Sequence, residues 1–227
     1  MNIAIHQPNF FPWIGYFYKI KSSDYFVFLD DVQYSKSSYT NRVNIINEKK
    51  QTWLTLPVNS KLGVKINNVY VADKSWKDKH LSKITNAYRK TKFFLEVFDK
   101  VKNLFEEIES ENLAGINQLL IRNGSSWLEL NKKFYTSSEL HINKNLKGDD
   151  RLIEIVRTLG GNTYFSGIGG NKYQNEKKFK SVNISLRYSN FKEKKYTQQS
   201  DDFIYGNSIL DLLFNLGIRK AIQYLEN

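Results

Sequence analysis

No cysteine occurs in the 227 residues. Its absence excludes disulfides, thiolate nucleophiles and Cys-type zinc sites together, and it suits a reducing compartment. Histidine is scarce: His6, His80 and His141 are too dispersed to suggest a zinc site, so no metal site is expected. There are only three prolines, and two of them, Pro8 and Pro12, fall in one short stretch near the start. No run approaches the ~20 apolar residues of a membrane helix. The opening apolar stretch is broken by Pro8, Pro12 and Gly15 and has no basic segment before it, so no signal peptide is expected. The chain reads as a cytoplasmic protein without a membrane span.

What is abundant is positive charge. Lys plus Arg number 34 against 23 Asp plus Glu, a formal net charge of +11. Such a field favours polyanions: nucleic acid, phosphorylated small molecules or an acidic membrane face. General richness in Lys, Asn and Ile, with the lysines scattered rather than blocked, accounts for the same figure without any partner. The length is that of one large domain, able to bury a core without staples.

Asn2 to Ile5 is a short apolar start that stops at His6-Gln7-Pro8-Asn9. Tyr16 to Lys21 suits one or two helical turns. Tyr25 to Leu29 then reads as a buried strand, continuous, aromatic and β-branched, ending in Asp30-Asp31. This order is a βαβ start and predicts a parallel sheet. Thr52 to Val58 is a further strand with Pro57 near its end, and Asn67 to Val71 another. From Lys74 the pattern turns helical: Trp76, Leu81, Ile84 and Tyr88, then Phe94 to Ile108, then a helix opened by Asn112 and stopped at Gly124. Strands are predicted at Phe134 to Thr136, Thr163 to Ser166 and Ser185 to Tyr188, with a helix capped by Asp149 or Asp150 between the first two. Ser208 to Leu216 is an apolar helix closing at Gly217, and an amphipathic helix follows. The expected fold is α/β: a mainly parallel sheet with helices on both faces, in a single domain over 1–227 with a helical insertion at about 74–123.

Ligands of open parallel sheets bind at the carboxyl ends of strands. His6, Gln7 and Asn9 stand at such a place, held by two prolines, and an imidazole there can act as acid or base near neutral pH. Hydrogen bonding to loop backbone is the plainer role for His6. Asp30 and Asp31, followed by Gln33, end the next strand; they could orient a base, hold Mg²⁺ or accept from a sugar hydroxyl. In extended chain neighbouring side chains point opposite ways, so one of the pair would face the site while the other caps the turn. Asn41-Arg42 follows, Arg being suited to a bidentate grip on phosphate. Ser166-Gly167-Ile168-Gly169-Gly170 after a strand would let backbone N–H groups approach a phosphate, although a plain tight turn accounts for it equally. Ser138 and Arg151 could add polar groups, and Lys79-His80 opens the helical region either as a contact pair or as a solvated face. His6, Gln7, Asp31 and Arg42 are expected to line one concave pocket.

Taken together, these strings resemble the WbqC-like protein family of bacteria. The carrying residues are Ile5 to Phe17 (IHQPNFFPWIGYF), Phe26 to Gln33 (FVFLDDVQ), Asn41-Arg42, Trp53 to Thr55, Lys79 to Leu81, Ser137 to Leu140 (SSEL), Tyr164 to Gly167 with Gly169, Gly170 and Tyr173, and Ser208 to Gly217 (SILDLLFNLG). After Tyr173 the chain departs from the family pattern, with Gln174-Asn175-Glu176 where an acidic pair is usual. A family proline is also replaced near Phe203 to Asn207.

The resemblance implies work in O-antigen and other bacterial surface-sugar assembly, on a nucleotide-linked sugar. The reading that follows is a transferase modifying a nucleotide-linked amino sugar by acyl or aminoacyl transfer. His6 would be the acid/base, Asp30 or Asp31 its orienter or a sugar ligand, and Arg42 the phosphate clamp. An aminoacyl-tRNA or another activated acyl donor would be the second substrate, and a tRNA would give the +11 charge a reason. The order of His6, Gly15, helix and strand is also loosely similar to a nucleotidyltransferase-like core, and a nucleotidyltransferase would need Mg²⁺; no other cofactor is implied. A non-catalytic binding module of a glycan-assembly complex is the third reading.

Overall fold

The computed structural model describes residues 1–226. In chain order the elements are β1 (Asn2–His6), α1 (Ile14–Lys21), β2 (Tyr25–Phe28), β3 (Arg42–Asn47), β4 (Lys50–Thr55), β5 (Val58–Asn59), β6 (Tyr70–Val71), α2 (Trp76–Tyr88), α3 (Phe94–Glu107) and α4 (Leu113–Trp127). There follow β7 (Lys133–Thr136), α5 (Gly148–Thr158), β8 (Thr163–Ser166), α6 (Glu176–Lys180), β9 (Ser185–Tyr188), α7 (Ile209–Leu216) and α8 (Ile218–Glu226). They form two compact units. The first comprises Met1–Gln7, Gly15–Asp31 and Asn131–Lys192; the second comprises Pro8–Ile14, Val32–Leu130 and the chain from Glu193 onward.

The first unit is built on a five-stranded sheet of order β7-β2-β1-β8-β9, parallel at every pairing. The chain runs from β1 outward through β2 to β7, then returns beside β1 as β8 and continues outward to β9. β1 and β8 are therefore the central pair at which the winding direction reverses. Period-two alternation sorts the strand residues. Ile3, Ile5 and Val27 join Ile153, Ile155, Val156 and Phe179 of α5 and α6 in one buried cluster. Phe26 and Phe28 turn the other way and meet Tyr16 of α1 and Phe134 of β7. Helices thus flank the sheet on both faces, as the sequence predicts.

The second unit is mainly helical, with the antiparallel pairs β3–β4 and β5–β6. β3 has no counterpart in the sequence reading. Its turn is Glu48-Lys49, both at positive φ (50° and 63°), a conformation usually advertised by Asn-Gly; Glu-Lys gives no such signal. α4 passes through Gly124, the expected stop, and runs on to Trp127, where Glu129 at φ 57° turns the chain. Small residues at Gly124 and Ser125 are buried inside the helix instead of ending it. The predicted strand at 52–58 divides at Pro57, and 67–71 becomes a 3₁₀ turn plus the two residues of β6. Lys147 stands at the N-cap position of α5 without a side-chain capping bond, and Asp149 and Asp150 occupy the first turn, where their charge suits the helix dipole.

Candidate functional site

His6 closes β1. Its Nδ1–H donates to the Gln7 carbonyl (2.9 Å), which also accepts from the Tyr16 hydroxyl (2.9 Å). The Tyr16 ring stands edge-on to the imidazole at 4.9 Å. Nε2 makes no hydrogen bond to any described residue, and His6 is only partly buried. Burial and the neighbouring Lys19 charge pull its pKa down to about 4, against the Gln7 bond, so the ring is neutral at pH 7 with a free lone pair on Nε2.

Lys19 is the residue that sequence reasoning missed. It lies on the inward face of α1, almost fully buried, with Nζ donating to the Ile5 carbonyl (2.7 Å) and 5.9 Å from the centre of the Tyr164 ring. Burial alone brings its pKa down to about 7. The signal was legible as a lysine one helical turn after Tyr16, inside an otherwise apolar face. Tyr164 on β8 links to the glycine segment, since Gln174 Nε2 donates to its hydroxyl (3.4 Å). Ser166 and Gly167 end β8, and Ile168–Lys172 form a 3₁₀ turn. A Cβ on Gly170 would stand 2.4 Å from Ser166 Oγ and 2.5 Å from Gln174 Oε1, so any other residue there would push both side chains aside; Gly167 and Gly169 face open space. His6 and this turn belong to adjacent strand ends of the same sheet.

Asp30 and Asp31 are both buried, contrary to the alternation expected of extended chain. β2 ends at Phe28 and the backbone bends, so both carboxylates reach the end of β7. Ser137 Oγ lies 2.5 Å from Asp31 and 3.1 Å from Asp30; with one proton it donates to the nearer. Ser138 donates to Asp30 from both its backbone N–H (3.0 Å) and its hydroxyl (2.7 Å). Arg151 Nη2 donates to Asp31 at 2.6 Å, and Lys144 adds its charge at 3.9 Å. Burial pushes the Asp31 carboxyl up, but the Ser137 and Arg151 bonds with the two cations outweigh it and hold it below the ordinary range. Four of the expected residues, Asp30, Asp31, Ser138 and Arg151, thus meet in one clamp.

The remaining expected residues belong to the second unit. The segment Pro8–Trp13 is held there by Asn117 Nδ2 to the Pro8 carbonyl (2.8 Å), Phe10 N–H to Tyr39 (3.0 Å), Ser208 Oγ to Phe11 (2.9 Å) and Ile209 N–H to Pro12 (2.9 Å). These bonds offset a buried Phe11 at φ 39°, a region costly to side chains with a Cβ. Asn9 is partly buried within the same segment. His80 donates from Nδ1 to the Trp76 carbonyl (2.7 Å) and packs edge-on to Phe10 and Trp76. Its Nε2 is buried and unpartnered, as are the Oδ1 atoms of Asn41 and Asn117. Asn117 was also missed, though it sits among Leu113, Ile116, Leu120 and Ile121 on the buried face of α4. Arg42 starts β3 and lays its guanidinium 4.0 Å over Trp53. Gln33 is exposed beside Lys65, and Lys79 pairs with Asp73 at 2.6 Å on the surface.

The WbqC-like protein family model matches residues 7–223. An uncharacterized protein of Mycobacterium tuberculosis, Rv1507c, is 29% identical over 227 residues, covering 99% of this chain and 97% of its own. No helix among the described residues is long and apolar enough to cross a membrane.

Proposed function

The chain belongs to the WbqC-like protein family, and from that membership and the ends of β1 and β8 we propose a transferase that acylates a nucleotide-linked amino sugar in bacterial surface-polysaccharide assembly. The observation that carries this reading is the reversal of winding between β1 and β8, where the partly buried His6 presents an unprotonated Nε2 that no described residue bonds. Open parallel sheets bind their ligands at this reversal.

In the proposed reaction the sugar amine attacks the carbonyl carbon of an activated ester. The N–C bond forms and the ester C–O bond breaks. The amine proton passes to His6 Nε2 and from there to the departing oxygen. A neutral imidazole fits the first half of that task, and the Gln7 carbonyl fixes the tautomer that presents Nε2. Gly167 and Gly169 leave room for a phosphate to reach backbone N–H groups. Asp30 and Asp31 serve as positioning residues: their oxygens hold the β7 end and α5 together.

The test is mass spectrometry of nucleotide-linked amino sugars incubated with the protein and activated acyl donors, aminoacyl-tRNA included. The expected product gains one acyl group, and His6→Gln keeps the fold while lowering turnover. Magnesium-dependent pyrophosphate release from a nucleoside triphosphate would instead identify a nucleotidyltransferase, and unchanged turnover in His6→Gln would remove the base.

A further inference from the structure

We propose that the β3–β4 hairpin carries a platform for single-stranded nucleic acid, with Trp53 and Tyr39 as stacking rings and Arg42 as the phosphate grip. The inference rests on this hairpin alone and goes beyond the acyl-transfer reading.

Trp53 and Tyr39 are 37% and 53% exposed, and their ring centres lie 5.9 Å apart at 54°. In the hairpin register Arg42 pairs with Thr55 and Asn44 with Trp53. Arg42 and Trp53 are therefore diagonal neighbours on one face, within reach of each other's long side chains. The guanidinium covers one side of the indole at 4.0 Å, while Arg42 Nε is buried with no acceptor among the described residues. Lys83 reaches in from α2 to donate to the Trp53 carbonyl (2.6 Å).

Two exposed rings side by side, rimmed by polar residues, form the kind of patch that marks an interaction site. Here the charge of the same chain segment indicates the partner. Between residues 33 and 65 the chain carries Lys36, Arg42, Lys49, Lys50, Lys61 and Lys65 against a single acid, Glu48. Lys49 is committed to Asp201; among the described residues Lys36, Arg42, Lys50, Lys61 and Lys65 form no ion pair. A cationic segment bearing exposed stacking rings, with a guanidinium already laid on one of them, matches unpaired bases on a phosphate chain. A duplex hides the base faces that the rings would take, so the occupant is a single strand such as an unpaired RNA end.

Fluorescence anisotropy with a labelled single-stranded RNA of about eight nucleotides tests this, with its duplex as control. The wild type should bind the single strand in preference to the duplex, with affinity falling as salt rises. Trp53→Ala should weaken binding about tenfold or more, while Trp53→Phe, which keeps a ring, should retain most of it. Arg42→Gln should weaken binding and lower the salt slope by about one phosphate contact. Circular dichroism confirms that each variant is folded. No binding at low salt, equal affinity for the duplex, or an unchanged affinity in Trp53→Ala would overturn the proposal. So would displacement of the RNA by a nucleotide sugar whose own binding is lost in Trp53→Ala, since the platform would then serve a mononucleotide. The probe is RNA alone, so failure here leaves the acyl-transfer reading standing, and failure of the acyl-transfer assay leaves this one standing.

Discussion

His6 in the first unit and His80 in the second share almost every local feature. Each donates its Nδ1–H to a backbone carbonyl, and each has its pKa pulled down to about 4. Burial is the main cause in both; for His6 the Lys19 charge adds to it and the Gln7 bond opposes it, and for His80 the Trp76 bond opposes it and Lys83 adds a smaller push. The difference lies at Nε2. That of His6 is unbonded in a partly buried ring at a strand end, while that of His80 is sealed among Phe10 and Trp76. Two neutral imidazoles thus have different uses: one can exchange a proton with a ligand, the other is fixed by its packing. Asp31 completes the contrast, being buried like His80 but with its oxygens engaged.

The sharpest way to break this comparison is to unpair Asp31. Asp31→Ala leaves the Arg151 guanidinium buried without its counter-charge, an uncompensated state costing about 3–5 kcal/mol. The expected result is a large drop in the urea midpoint, recovered in part when Arg151→Met removes the orphaned charge as well. The carboxyl's lowered pKa predicts that its contribution is present above the unfolded carboxylate range and lost as pH falls through the folded value. A variant as stable as wild type would show that the clamp does not hold the β7 end.

His6→Gln separates chemistry from stability. The fold should persist, because the ring is only partly buried and makes a single hydrogen bond, to backbone, among the described residues. Turnover should fall by ~10² to 10⁴, the usual worth of a positioned proton-transfer group. Lys19→Met should raise the His6 pKa, read by NMR titration of the ring, because Lys19's charge is one of the two causes that depress it. A His6 pKa that does not move would remove Lys19 from the site.

His80 predicts a pH effect on stability instead. The unfolded histidine takes up its proton near pH 6.5 and the folded one near 4. The unfolded state therefore binds more protons between those values. Stability is highest above pH 6.5 and falls as pH drops toward 4, by about 3 kcal/mol at most. His6 contributes with the same sign. Asp211 opposes it: burial raises its carboxyl to about 6, against bonds from Tyr196, Tyr88 and Gln198, so its contribution is lost as pH rises through that value. The measurement is accordingly the difference in urea midpoint between wild type and His80→Phe across pH 4–7. A difference that does not change with pH would mean that His80 is not sealed.

The sheet was legible because its strands are short apolar runs ended by His, Asp or Gly, and the placement of His6 at a strand end followed directly. The joint burial of Asp30 and Asp31 was not, since alternation holds only while the chain is extended and β2 stops at Phe28. Their partners are remote in sequence: Ser137, Ser138 and Arg151 come from the far end of the first unit. β3 escaped notice because Glu48-Lys49 adopts positive φ without the residues that favour it. Lys19 and Asn117 were visible as polar residues at helical spacing within apolar faces. Propensity treats such residues as solvated, and only tertiary packing reveals them as buried.

The smallest expected effect belongs to Lys79, one residue before His80 and facing the opposite environment. Its ammonium meets Asp73 at 2.6 Å in the open. Asp73 also accepts from the Ser75 backbone N–H (2.9 Å) and hydroxyl (2.7 Å). The Lys79 hydrogen bond, then those from Ser75, hold its carboxyl below the ordinary range. Lys79→Ala leaves the Ser75 bonds in place and hands one carboxylate oxygen to water, which solvates it well. Exposed pairs of this kind contribute little because solvent screens the attraction and ordering two long side chains opposes it. The melting temperature of Lys79→Ala should therefore match wild type within the reproducibility of the measurement, and adding salt should not separate them. A clear loss of ligand affinity in Lys79→Ala would place this lysine at the substrate and break the contrast with its buried neighbour.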